Sequence, residues 1–352
     1  MTIFAQKKFP VLAILSMKFL LLTALVQSVL GYWEIGHIVE TDCLGALEVV
    51  QQIGKGRNAV VFKAIQTKDP TKVYAIKASS SPDGIAREAH VLQALDGANG
   101  FPHFFCIGEG FLVMQFMDGY KSLDKLESLP MGIEDVAIAL IDRLEAVHHA
   151  GFVHVDVHKR NIMLKTSEIE GTSSPVILLD FGLAVPLREP KTSDQVNLFL
   201  ASVCEQARVP LHPIDDIERL MYVLLHYEFG PLPWALQAEM HREMVKNEAP
   251  SKEVSVVLHS LEQRILQLKQ EFLIGEGTDG FFETQNVPIG FRKILEYIAQ
   301  SRPVRDSMSF SVDYRYLKAM MREGRGDPLP VRELTPSQSA SGHATPTLLP
   351  VV

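Results

Sequence analysis

The chain has 352 residues, 47% of them hydrophobic, and carries 34 Lys and Arg against 42 Asp and Glu for a formal net charge of −8. That length and apolar content suffice for a buried core in one or two globular domains. The acidic balance excludes a general nucleic-acid binder, which needs a basic excess to neutralise phosphates.

In chain order, residues 9–30 are almost wholly apolar, interrupted by Lys18 and Gln27. Read from Met17, a short basic start, an apolar run from Phe19 to Val26 and the residues Val29 and Gly31 predict a signal peptide cut before Tyr32. A membrane anchor is the rival reading. The charge-free run 19–33 falls short of the ~20 apolar residues of a spanning helix, although Val11 to Met17 would extend it past Lys18. A mis-assigned start codon is the third reading. These readings put the protein in the secretory pathway or outside the cell, at a membrane, or in the cytoplasm. A polar linker, 32–46, follows. Cys43, Cys106 and Cys204 are too few and too widely spaced for a disulfide framework or a CxxC metal knuckle, so buried thiols are expected.

From Leu47, LEVVQQI leads into Gly54-Lys55-Gly56 and predicts a strand, a glycine turn and a second strand. Glycines there let backbone amides approach phosphates with no Cβ in the way, although the pair alone is equally a plain β-turn. Val73 to Lys77 alternates as a strand ending on a cation, and Arg87-Glu88-Ala89-His90-Val91-Leu92 reads as helix, with apolar positions at Ala89, Leu92 and Leu95. His103–Ile107 and Phe111–Phe116 read as two further strands. From Ile133 to Val147, apolar residues at 133, 136, 137, 140, 141, 144 and 147 form one face of a helix.

Next comes GFVHVDVHKRNIML, residues 151–164, which sets an Asp and an Asn five apart in a loop between apolar segments. A polar insert between Leu164 and Pro175 reads as a surface turn joining two small strands. ILLDFGLA, residues 177–184, then brings a second Asp. Asp156, Asn161 and Asp180 would converge at one cleft edge, a base beside two metal-holding groups, as phosphoryl transfer from a magnesium nucleotide requires. His154 and His158 stand four apart, but VHVDVH alternates like a strand or loop and lacks a third soft ligand. Asp156 is better explained as a base than a metal ligand, and His154 as a loop residue.

These motifs resemble a protein kinase, with His154-Val155-Asp156 standing for the catalytic-loop HRD and Asp180-Phe181-Gly182 for DFG. The resemblance implies an α+β, bilobal fold over residues 47–323, with a β-rich N-lobe (47–116) and a helical C-lobe (120–323). It implies ATP and Mg2+ as cofactors. Asp156 would serve as base, and Asn161 and Asp180 as metal ligands. Lys77 would hold phosphates and Glu88 orient it. Ile53, Gly54, Gly56, Val61, Ala75, Met114, Gln115 and Met117 would surround the nucleotide, with Met114 behind the adenine. Within kinases, Ala201-Ser202-Val203, Asp215-Asp216-Ile217-Glu218, Leu232-Pro233-Trp234 and Asp313-Tyr314-Arg315-Tyr316-Leu317 resemble the casein kinase 1 family. A serine/threonine kinase acting on protein substrates follows as the expectation, with acidic or already phosphorylated segments as the family's preference. Arg188, Lys191 and Arg208 could serve that preference or be ordinary surface charge.

Several residues depart from the pattern. Ala59 takes the third glycine of the loop, and Met221 stands where the long C-lobe helix has Gly. Val155 replaces the Arg that pairs with an activation-segment phosphate, so activity independent of that switch is expected. His158 takes the place of the catalytic-loop Lys. Arg160, four after Asp156 as in tyrosine kinases, is the expected substitute, with Lys159 and protonated His158 behind it. These departures motivate the alternative of a pseudokinase that binds nucleotide or a partner without transfer. A secreted interaction protein reusing the fold is a third class. Beyond Arg322, residues 324–352 are rich in Pro, Ser and Thr without periodicity and read as a disordered tail.

Overall fold

The alternation visible in the sequence sets the first lobe. In the computed structural model, which describes residues 33–166, 174–189, 191–192, 196–247, 251–276, 280–304 and 310–323, β1 (Ile38–Thr41), β2 (Gly45–Lys55), β3 (Ala59–Gln66), β4 (Asp69–Ser79), β5 (Phe104–Gly108) and β6 (Phe111–Gln115) form one sheet. It is antiparallel throughout, in the order β1-β2-β3-β4-β6-β5. Val60, Phe62 and Ala64 of β3 and Tyr74, Ile76 and Ala78 of β4 point to one face and pack with Leu47, Val49 and Val113. The intervening Ala75 joins the main core on the other face, as a period of two demands. Two register shifts in β2, at Val49/Gln51 and Gln52/Gly54, sharpen the twist just before the glycine turn.

Helix α1 (Pro82–Ala94) starts where Ser81 caps it, its hydroxyl accepting from the Gly84 N–H, with Pro82 at the first turn. It lays Ile85, Ala89, Val91 and Leu92 against the sheet. The second lobe is helical: α2 (Ile133–His149), α3 (Val203–Gln206), α4 (Pro213–Phe229), α5 (Ala235–Asn247), α6 (Lys252–Leu273), α7 (Phe281–Thr284), α8 (Ile289–Ser301) and α9 (Tyr314–Glu323). Short strands β7 (Tyr120–Ser122), β9 (Ile162–Lys165) and β10 (Val176–Leu178) form one ribbon, and β8 (Phe152–Val153) pairs with β11 (Val185–Pro186). Helix α4 is buried from Pro213 to Leu225, so it runs through the lobe with no solvent face for most of its length. Met221 is fully buried within it. A β-rich lobe followed by a helical one is the bilobal α+β architecture expected from the motifs.

Two expectations need correction in the first lobe. Residues 32–46 were expected as a linker, yet β1 pairs with β2, and Trp33 packs its ring 5.6 Å from both Phe62 and Phe111. Three buried thiols were expected, yet Cys43 and Cys106 form a disulfide, leaving Cys204 free and buried. Cys43 lies in the β1–β2 turn and Cys106 on β5, at opposite ends of the strand order. The curl of the sheet brings together two cysteines 63 residues apart, a closeness that spacing along the chain does not reveal. Residues 1–31, most of the insert after Leu164 and the tail 324–352 lie outside the described residues. No helix among the described residues is long and apolar enough to cross a membrane.

Candidate active site

Register places the nucleotide-facing residues before any ligand is considered. Gly54 pairs with Val61, Val61 with Lys77, and Ala75 with Met114. Directly opposed residues share a face, so Val61, Lys77, Ala75 and Met114 all point from the sheet toward the second lobe. Ile53 sits in the bulge beside Gly54. Neither Gly54 nor Gly56 has a positive φ, and a Cβ on either would meet its nearest neighbour at an ordinary 3.5 Å. The protein's own packing therefore does not demand these glycines. Met114 is buried, while Gln115 and Met117 are partly exposed where the lobes join. The N–H of Gln115 donates to His103 O at 2.8 Å and its side-chain oxygen accepts from the His103 N–H at 3.2 Å.

Lys77 ends this row, its Nζ 2.6 Å from Glu88 Oε2 and 2.7 Å from Asp180 Oδ1. Burial alone would lower the Lys77 pKa, but the two carboxylates outweigh it and hold the ammonium charged, above its ordinary range. Glu88 is only 2% exposed, and burial raises its carboxyl to about 7 against the pull of Lys77. Burial would raise Asp180 too, yet Lys77 and the Gly182 N–H hold it below the usual carboxylate range. Asp180 adopts φ 66°. The buried Phe181 ring packs 4.9 Å from His154. Arg87 of α1 donates to Gly182 O at 2.6 Å, so α1 grips this turn with two successive side chains.

The catalytic loop is held from below by the first turns of α4. Asp216 Oδ2 accepts from the His154 N–H at 2.6 Å and Oδ1 from the Val155 N–H at 2.9 Å. Val155 has φ 71°, a conformation costly for a β-branched residue, and it packs with Val153 and Leu211. His148 Nε2 also meets Asp216 Oδ2 at 2.9 Å, and its Nδ1 meets the Tyr314 hydroxyl at 2.5 Å. The Nε2–H donating to Asp216 and the Tyr314 O–H donating to Nδ1 satisfy both contacts. Helix α9 is thereby tied to the loop. The other carboxylates of the same turns hold the segment that follows Gly182: Asp215 accepts from the Ser202 hydroxyl at 2.8 Å, and Glu218 from the Val203 N–H at 2.7 Å.

Within the loop, Asn161 Nδ2 donates to Asp156 O at 2.9 Å and lies 3.5 Å from Asp156 Oδ2, while Leu179 N–H, next to Asp180, donates to Asn161 O at 2.8 Å. Asp156 and Asn161 are thus bonded to each other, and Asn161 is bonded to the strand end that carries Asp180. Acceptor oxygens on Asp180 and Asn161, beside a charged Lys77, suit a hard divalent cation and a phosphate chain. His154 is buried, its Nε2 bonded to Leu179 O at 3.0 Å, the structural role expected of it. His158 Nε2 is 3.5 Å from Asp156 Oδ2, while Lys159 and Arg160 are exposed. Sequence reasoning missed the roles of His148, Asp216 and Tyr314, although Asp216 and Tyr314 lie in motifs it had singled out.

The protein kinase domain family matches residues 47–203 of this chain. The casein kinase I homolog RAG8 of Kluyveromyces lactis is 22% identical over 328 residues, covering 85% of this chain and 58% of that protein. The chain therefore spans little more than half the length of this relative. The chain is thus similar to protein kinases, a casein kinase I homolog among them, and its bilobal fold and assembled lysine–glutamate–aspartate cluster agree with that likeness.

Proposed function

We propose that this chain is an ATP- and Mg2+-dependent serine/threonine protein kinase of the casein kinase 1 type. The observation that carries the reading is Lys77 held between Glu88 and Asp180 at 2.6 and 2.7 Å, with Asp180 linked through Leu179 and Asn161 to Asp156. Asn161 and Asp180 would hold Mg2+, which would supply positive charge against the phosphates. Lys77 binds the phosphate chain and Glu88 keeps it in place. Ile53, Gly54, Gly56, Val61, Ala75, Met114, Gln115 and Met117 enclose the nucleotide. Asp156 orients the acceptor hydroxyl and takes its proton as the oxygen bonds to the γ-phosphorus and the bond to the bridging oxygen breaks, leaving ADP. Arg160 supplies charge near the transferred group in place of the missing lysine. Positioning and fixed charge carry most of such a reaction.

One observation favours a pseudokinase as the second reading: His158 Nε2 stands 3.5 Å from Asp156 Oδ2, against the carboxylate that the acceptor hydroxyl needs. The Cys43–Cys106 disulfide supports a secretory-pathway setting, since such bonds persist in oxidising compartments. The test is transfer from labelled ATP to casein, followed by phosphoamino-acid analysis and a parallel assay on a tyrosine-containing acidic copolymer. Label on Ser or Thr supports the proposal, and label on Tyr alone overturns its acceptor class.

A further inference from the structure

Helix α6 buries a lysine that none of the chemistry above uses. Lys269 is fully buried, and its Nζ donates to Leu198 O at 2.7 Å, Ala201 O at 2.7 Å and Gln206 Oε1 at 3.1 Å. The same ammonium lies 5.6 Å from the Trp234 ring centre and 5.8 Å from that of Tyr222. Around it Arg219 pairs with Glu205, and Arg302 pairs with Glu218. Those four charges cancel in two pairs, so Lys269 is a fifth charge with no carboxylate of its own. A buried cation in that position is expensive, and what it does in return is tie three acceptors of one strip to α6. Burial pushes its ammonium down to about 7, while three acceptors match the three N–H bonds of the protonated form.

The strip it holds, residues 198–206, follows the Asp180-Phe181-Gly182 turn and precedes α4. Trp234 Nε1 donates to Phe199 O at 2.8 Å, and Val203 and Ser202 are bound to Glu218 and Asp215. Beyond it the chain passes Leu211, which packs on Val155, the residue before Asp156. The inner side of the strip is thus fixed by α4, α6 and Trp234, while Asn197 is exposed and Leu198 and Phe199 are partly so. Asp215 of α4 holds this strip at Ser202, while the next residue, Asp216, holds His154 and Val155 of the loop that carries the base, so one helix turn fixes both.

We propose that Lys269 is a positioning residue for the protein substrate: by fixing the Leu198 and Ala201 carbonyls from α6, it shapes the strip on which an acceptor segment is laid toward Asp156. The proposal rests on the kinase reading above and adds to it the residue that sets acceptor binding. Lys269→Met keeps the length and apolar stem of the side chain and removes all three donors.

The experiment uses the full chain, with casein and ATP varied separately and folding of each variant checked by thermal unfolding. The expected result for Lys269→Met is a KM for casein raised by about tenfold, the size of one lost charge-assisted contact, with the KM for ATP unchanged. Lys269→Gln retains an NH2 donor and is expected to recover part of the casein KM. A role in stability alone would lower the unfolding temperature and the active fraction without splitting the two KM values. If Lys269→Met does not fold, Lys269→Gln carries the test, and a casein KM equal to wild type in a folded variant overturns the proposal. Wild-type protein that transfers no phosphate removes the kinase reading and this proposal with it. Wild-type transfer with an unmoved casein KM in the variants removes the positioning role alone.

Discussion

Asp216→Asn is the substitution that separates support of the catalytic loop from chemistry in it. The carboxylate accepts three hydrogen bonds, from the N–H groups of His154 and Val155 and from His148 Nε2, at 2.6 to 2.9 Å. An amide of the same shape must turn its NH2 toward one of these donors. The least costly orientation faces Val155, leaving that buried N–H against another donor at about 1–3 kcal/mol and weakening the other two bonds by removing the charge. Val155 holds φ 71° at a cost of roughly 1–2 kcal/mol, and the lost bond is what offset that cost. The expected total is about 2–4 kcal/mol of stability, or on the order of 5–10 °C in unfolding temperature for a domain of this size. As Val155 relaxes, Asp156 shifts with it, so kcat falls by on the order of 10²-fold while the KM for ATP holds.

The pH dependence of the same residue has a defined sign. Burial raises the Asp216 carboxyl, but the hydrogen bonds and charge of His148 and His154 outweigh it and hold it below the usual carboxylate range. Its contribution to stability is therefore present above pH about 4 and lost as pH falls through the lower folded value. In Asp216→Asn this part of the acid transition disappears. Urea denaturation at several pH values on either side of that range, together with steady-state kinetics, makes the measurement. A variant that unfolds with wild type and keeps its kcat would refute the view that this carboxylate holds the loop.

Cys43→Ser/Cys106→Ser, or reduction of the native bond, is expected to cost about 4 kcal/mol, the chain-entropy value for a closed loop of 63 residues; denaturant titration with and without reductant measures it, with peptide mapping to confirm the pairing. Glu88→Gln removes the carboxylate 2.6 Å from Lys77, and kcat/KM for ATP is expected to fall by on the order of 10²-fold, seen in initial rates at varied ATP. Arg160 is exposed, so Arg160→Ala should leave the unfolding temperature unchanged while lowering kcat at least about tenfold; an unchanged kcat would assign the charge role to His158 or Lys159.

Local pattern carried much of this architecture. The period of two in Val73–Lys77 places Lys77 on the inner face, and the 3.6-residue period of Ile133–Val147 yields α2, which runs on to His149. The Lys77–Glu88 pair was legible because each residue lies within an element whose period was clear, Lys77 in β4 and Glu88 in α1. Contacts made only by the folded chain were not legible. No spacing links Cys43 to Cys106, or Tyr314 to His148 and Asp216, because these depend on the curl of a sheet and the meeting of α2, α4 and α9. Lys269 did leave a trace: Ile265, Leu268 and Phe272 share its helix face and are buried with it, so a cation stands on an apolar stripe at i, i+3, i+4 and i+7 spacing. The strand pairing of 38–41 escaped notice because polar residues surround two short apolar positions.

The measurement that bears most directly on the assembled site is magnesium-dependent phosphate transfer from labelled ATP by wild type, Asp156→Ala and Asp180→Asn, with nucleotide binding followed by thermal shift in the same samples. The account predicts transfer by wild type, loss in both variants, and metal-dependent nucleotide binding that Asp156→Ala retains. Nucleotide binding without transfer in the wild type would contradict it and leave a pseudokinase; transfer undiminished in Asp180→Asn would contradict the metal-binding role assigned to that carboxylate.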